Sequence, residues 1–341
     1  MTAQSPPASL DEIRALLREL PGPDLAAGAE AAERQAQLTK PAGSLGRLEE
    51  LAAWLATWQG RHPPQVERPY TAVFAGNHGI AARGVSAYPA AVTRQMVQNF
   101  IDGGAAVNQL CQLAGADLRV YELALDEPTR DFTEGPAMAE AECARALAYG
   151  MMAVEDGIDV LALGEMGIGN TTSAAAICCA LFGGEAAQWV GRGTGIDDQG
   201  LARKTAAVDR AVAAHRPAMS DPFEVLRCLG GLEIAAIAGA VMAARLARTP
   251  VVLDGYACTA AAAVLHAADP HALDHCVVAH RSAEPGHARL LERLGKAPLI
   301  DLGLRLGEAS GAMLAVLLLK AACACHCGMA TFEEAGVSGP A

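Results

Sequence analysis

Several stretches of this chain set polar side chains among glycines, which let a backbone come close to a ligand. The first is Gly164-Glu165-Met166-Gly167-Ile168-Gly169-Asn170-Thr171-Thr172, between an apolar run and the small-residue segment Ser173–Leu181. If that segment is helical, Thr171 and Thr172 could cap it and donate hydroxyls, and its N-terminus would favour a phosphate. A plain strand-to-helix turn is the alternative. The second is Gly191-Arg192-Gly193-Thr194-Gly195-Ile196-Asp197-Asp198, followed by Lys204. Its alternating glycines could form an anion-binding nest, but taken alone it reads as a surface loop. The third is Arg305-Leu306-Gly307-Glu308-Ala309-Ser310-Gly311-Ala312. Partial burial of Glu308 would disfavour its charged form and make it a base near neutral pH; the alternative is an exposed or capping glutamate. In Gly76-Asn77-His78-Gly79, His78 could be a ligand or an acid, or a structural histidine. Cys323-Ala324-Cys325-His326-Cys327 superficially suggests metal, yet residues two apart on a helix do not face each other. Zinc sites also use wider spacing, so buried thiols are expected there and no metal.

These residues need elements to hold them. A helix is expected over 8–20 with Ser9 as its N-cap, a second over 24–40, and a third beginning at Leu45–Trp58. After Arg68, short apolar runs alternate with helical stretches: Tyr70–Ala75, Asp117–Leu123, Val160–Gly164, Pro250–Asp254 and Cys276–Ala279. That alternation predicts a mainly parallel sheet covered by helices. In such folds, sites lie beyond the carboxyl ends of the strands. Asn77-His78-Gly79, Gly164-Glu165, Asp254-Gly255 and His280-Arg281-Ser282 all fall there. Residues 303–331 read as one or two long helices suited to packing on the opening ones.

Composition narrows the function. Of 341 residues, 52% are hydrophobic and 19% charged, which excludes a mainly disordered chain. With 4% aromatics the core must be built from small side chains. A net charge of −12 repels phosphate backbones, so no nucleic-acid partner is expected and any anionic substrate needs a local pocket. The opening MTAQSPPASLDEIR has no basic region followed by an apolar one, so no signal peptide is expected. The apolar stretch Ile234 to Ala244 is too short to span a bilayer. Ten cysteines in a chain of this size suggest reduced thiols and a cytoplasmic location. A nucleotide-dependent dehydrogenase would need G-x-G-x-x-G with an acidic residue about 20 positions later, and that pair is not found.

Seven segments occur in one order over nearly the whole chain: LTKPAGSLGRLEELA (38–52), FAGNHGI (74–80), GVSAYP (84–89), GEMGIGNTTSAAA (164–176), GGLEIAAIAGA (230–240), LDGY (253–256) and RLGEASGA (305–312). Together they resemble the nicotinate-nucleotide–dimethylbenzimidazole phosphoribosyltransferase family, which acts in assembly of the lower nucleotide loop of cobalamin. The resemblance implies an α/β fold: a three-layer, parallel-sheet large domain (61–302) and a small helical domain built from both chain termini (1–60 plus 303–341). It further implies a homodimer with no metal or organic cofactor. The family's catalytic glutamate falls on Glu308 and a second glutamate on Glu165. Its lysine falls on Lys204 and its LDG aspartate on Asp254. Some relatives carry an aspartate where this chain has Asn77.

On that resemblance, a benzimidazole nitrogen attacks C1′ of nicotinate mononucleotide, nicotinate leaves from the opposite face, and Glu308 accepts the N–H proton. Glu165 is expected to hydrogen-bond the base edge or Glu308. The phosphate is expected on the turn Gly167, Gly169, Asn170, Thr171 and Thr172, helped by Gly193, Ser282 and Lys204. A flat apolar slot for the base is expected from Met166, Tyr88 and Leu306, with Asn77 and His78 nearby. The competing reading is a non-catalytic protein that binds benzimidazole or a corrinoid precursor.

Overall fold

A computed structural model of the chain describes residue 7 and residues 9–339. Residues 1–6 and 8 of the stretch tested for a signal peptide lie outside the described residues, as does the first residue of the helix expected over 8–20. That helix runs Leu10–Leu17, with the Ser9 hydroxyl accepting from the amide of Glu12.

Among the described residues, six strands build one sheet: β1 (Pro69–Gly76), β2 (Asp117–Leu123), β3 (Val160–Met166), β4 (Val251–Leu253), β5 (Cys276–His280) and β6 (Pro298–Ile300). Every pairing is parallel, in the order β2-β1-β3-β4-β5-β6. The apolar runs predict only the first five. The sixth is three residues long and begins at a proline, too short for a period to show. Strand order reverses between β1 and β3, so the crevice at their carboxyl ends is the switch point where α/β sheets bind ligands.

The strands alternate with a period of two, and each face has its own core. Ala72, Phe74, Leu161, Leu163, Val251, Leu253 and Val278 meet the helices Glu140–Met151, Asn170–Phe182, Leu232–Leu246 and Tyr256–Ala268. Val73, Ala75, Val160, Ala162, Val252 and Val277 meet Arg47–Gln59, Ala91–Ile101, Ala106–Ala114 and Ser310–Gly328. The result is three layers. Small residues allow close approach: a Cβ on Gly150 would stand 1.8 Å from the Ala236 carbonyl oxygen, and one on Gly239 1.9 Å from that of Leu147. No bulkier residue fits where those two helices cross.

The two chain ends meet. Leu38 and Thr331 form a bridge, and Arg34 donates to the carbonyls of His326, Cys327 and Met329. The expected helix over 303–331 starts only at Ser310, after an irregular segment that carries Glu308. Among the described residues the helix Ser310–Gly328, not the stretch Ile234–Ala244, is the one long and apolar enough to cross a bilayer by length and composition. In this structure it covers the sheet, with Met313, Val316 and Leu319 buried in the second core.

Candidate active site

A cavity of about 630 Å3 opens at the carboxyl ends of β3, β4 and β5. Glu165, Met166, Gly167, Gly169, Asn170 and Thr171 line it, joined by Gly193, Ser282, Tyr88, Leu306 and Glu308. These residues are drawn from five separate stretches of the sequence; Glu165 and Ser282 lie at strand ends, whereas Tyr88, Gly193, Leu306 and Glu308 come from loops.

Glu308 is positioned by an unusual backbone. Gly307, Glu308 and Ala309 have φ of 84°, 61° and 61°, three left-handed residues in succession. The bend drops the chain into the first turn of Ser310–Gly328 and sets the Glu308 side chain on the cavity wall, 6% exposed. β3 makes room for it: a Cβ on Gly164 would lie 2.3 Å from the Ala309 nitrogen and 2.7 Å from the Glu308 carbonyl carbon. Burial, and then the charge of Asp254, push the Glu308 carboxyl up to about 7.

Glu165 lies beneath the same bend, where a Cβ on Gly307 would stand 2.5 Å from its Oε1. Burial raises it to about 8, reinforced by Asp254, Glu233 and Glu308 and opposed by a hydrogen bond from the Asn170 amide. The carboxylate is thus bonded to Asn170 and not to Glu308.

The opposite wall is the turn into the helix Asn170–Phe182. Gly169, at φ 100°, takes the N-cap position, so neither threonine caps the helix as expected. Both lie in its first turn. Thr171 faces the cavity and accepts from Lys204 Nζ at 2.8 Å. Thr172 is fully buried and does not line the cavity; its amide donates to the Gly169 carbonyl. The amide of Ile168 is taken by the Thr93 hydroxyl. Lys204, on the helix Asp198–His215, is fully buried and also donates to the Gly191 carbonyl. Burial drives its pKa down to about 8, partly offset by Glu284. The lysine therefore orients Thr171 and the glycine loop from behind the wall.

Asn77 and His78 do not reach this cavity. They border a neighbouring depression that shares Tyr88 with it. The Asn77 amide donates to the Leu125 carbonyl. His78 Nε2 is 2.5 Å from Glu233 Oε1, with both side chains sealed from solvent. The pair sits behind Gly167, whose Cβ would be 3.3 Å from each of those atoms. Asp254 is likewise buried and absent from the cavity wall.

Sequence reasoning missed Glu233, Glu284 and Arg305. Glu284 accepts from the Gly193 amide at 2.8 Å, and Arg305 donates to the Gly193 carbonyl at 3.0 Å, so the glycine loop is pinned from both sides. Glu233 lies within the segment GGLEIAAIAGA, but nothing local marks a glutamate at a helix start as the partner of a histidine 155 positions away.

A carboxylate with raised proton affinity, facing a glycine turn at a helix N-terminus across a cleft on a parallel sheet, defines a group-transfer site for an anionic substrate. A family model described as phosphoribosyltransferase matches residues 20–337. Nicotinate-nucleotide–dimethylbenzimidazole phosphoribosyltransferase from Methylocella silvestris is 62% identical over 332 residues, 97% of each chain. The protein of that name from Brucella canis is 60% identical over 328 residues, 96% of this chain and 97% of that one. The crystal structure of CobT from Thermus thermophilus superposes with a TM-score of 0.87 at 45% identity, covering 92% of this chain and 100% of that one. The chain belongs to the nicotinate-nucleotide–dimethylbenzimidazole phosphoribosyltransferase family.

Proposed function

We propose that this enzyme transfers the 5-phosphoribosyl group of nicotinate mononucleotide to 5,6-dimethylbenzimidazole, with inversion at C1′. The products are α-ribazole 5′-phosphate and nicotinate, in assembly of the cobalamin nucleotide loop. A ring nitrogen of the benzimidazole forms the new bond to C1′ while the bond from C1′ to the pyridinium nitrogen breaks. The departing nicotinate takes that electron pair and leaves neutral at nitrogen, so it needs no acid. The incoming heterocycle must shed its N–H proton, and Glu308 accepts it. A carboxyl at about 7 is roughly half ionised at neutral pH and still basic enough to hold the proton. The helix N-terminus at Gly167–Thr171 receives the phosphate, with Gly193 and Ser282 beside it and Lys204 holding Thr171 in place. Met166, Tyr88 and Leu306 form the flat apolar slot for the base.

The observation that carries this reading is the placement of Glu308 on the cavity wall by three left-handed residues. The expected effect of Glu308→Gln is loss of product formation by about 10²–10⁴-fold with the fold intact. Near-normal turnover would remove Glu308 as the base. Absence of α-ribazole 5′-phosphate with the unmodified protein and both substrates would favour a binding protein instead. The same reading takes the chain as a cytoplasmic homodimer in which helices from both chain ends form a small domain that carries Glu308. Ten free cysteines, eight of them buried, suit a reducing compartment.

A further inference from the structure

Asp254 directly follows β4, with its side chain fully buried and off the cavity wall. Its Oδ1 accepts from the Ala312 amide at 2.8 Å; burial raises its proton affinity, and His280 with the amides of Ala312, Gly311 and Ala309 opposes this by stabilising its charge. It is thus bound to the first turn of the helix that Glu308 precedes. The helix start compensates an anion there. His280, at the end of β5, brings Nε2 to 3.6 Å from the same oxygen. Both ring nitrogens of His280 and the second oxygen of Asp254 are buried without hydrogen-bond partners among the described residues. Two glycines make space for that imidazole: a Cβ on Gly311 would be 2.1 Å from His280 Cδ2, and one on Gly255 3.1 Å from Nε2. The pair fills a compartment closed to substrate, against the backbone that presents the base.

We propose that Asp254, with His280 as its partner, is a positioning residue that fixes the Glu308 bend and sets the charge facing Glu308, rather than a ligand of the mononucleotide. The proposal rests on the phosphoribosyl-transfer reading, in which Glu308 takes the proton. The charged groups that act on Glu308 or share its cavity are Glu165 from β3, Asp254 just after β4, Glu284 after β5 and Arg305 from its own loop, with His280 of β5 beside Asp254. Asp254 is the one whose charge acts most on Glu308 and favours its protonated form.

Replacing Asp254 by Asn keeps an acceptor for the Ala312 amide and removes the charge. Glu308 then loses its proton more readily and becomes a weaker base. The expected result is a kcat about tenfold lower, KM for nicotinate mononucleotide within about twofold, and an acid limb of the pH–kcat profile displaced to lower pH. In His280→Gln the group that helps hold Asp254 ionised is gone, so the buried carboxyl takes up a proton, its charge on Glu308 is lost and the limb moves in the same direction, which serves as the readout should D254N not fold. A limb that stays in place in the folded variants overturns the proposal, as does a rise in KM for the mononucleotide with kcat unchanged. Failure of the unmodified enzyme to make α-ribazole 5′-phosphate is a different result and sinks the underlying reading instead.

Discussion

Glu308 sits at φ 61°, where a side chain with a Cβ is strained, by about 1 kcal/mol or more. Such a conformation persists when the surroundings impose it, and here the contact with Gly164 and the anchoring of the helix start by Asp254 do so. Stability and chemistry therefore conflict at this residue. Glu308→Gly should raise the unfolding free energy by about 1 kcal/mol, because glycine accepts the left-handed region and no buried carboxyl remains, while abolishing turnover. Denaturant unfolding of the two proteins checks this; a less stable glycine variant would show that the bend is not strained. His78 illustrates the other outcome for a polar residue among glycines. It meets Glu233 in a sealed pair behind Gly167, and the three glycines Gly76, Gly167 and Gly231 serve to accommodate that pair.

At the level of elements, the strand-to-helix turn after β3 is the feature most open to test. Nicotinate mononucleotide should bind about 10- to 100-fold more tightly than nicotinate riboside, the worth of one or two charged hydrogen bonds. Equal affinities measured by calorimetry would displace the phosphate from Gly167–Thr171. Much of this was legible in the sequence, because the relevant signals are local. Apolar runs ending at Ala75, Gly164 and Asp254 located β1, β3 and β4 and so the edge where α/β sheets bind ligands. The helix after β3 was legible too, but expected from Ser173 with the threonines as caps, whereas it starts three residues earlier at Asn170. What stayed hidden depends on direction or on distant partners. Thr171 and Thr172 are adjacent and alike, yet a helix turns successive side chains by about 100°, so one faces the cavity and the other the core. Asp254 has the look of a ligand because it ends a strand; its anchoring of a helix start 58 positions onward is visible only in three dimensions.

For the molecule as a whole, the site imposes a characteristic dependence of stability on pH. Glu165 and Glu308 have folded pKa values of about 8 and 7, above their usual 4.5. Between pH 4.5 and 8 the folded chain therefore binds more protons than the unfolded one. Their contribution is fully present below 4.5 and is lost as pH rises through 7 and 8. Lys204 acts in the opposite sense at higher pH: folded, it releases its proton near 8, whereas unfolded it holds it to 10.5, so stability recovers over that interval. Unfolding free energies measured across neutrality should fall with pH, and Glu165→Gln should flatten the decline; an unchanged slope in that variant would refute the assignment. The seating of Glu308 on Gly164 bears on biosynthesis as well. The residue proposed to accept the proton is tethered to the helix that roofs one side of the sheet, so the two arrive together. A ribosome-bound chain halted before residue 310 would hold the sequence of the turn proposed to receive phosphate but no roof and no correctly bent glutamate. On the proposed reading such a fragment cannot carry out transfer, and competence begins when the last large helix docks and completes the second core.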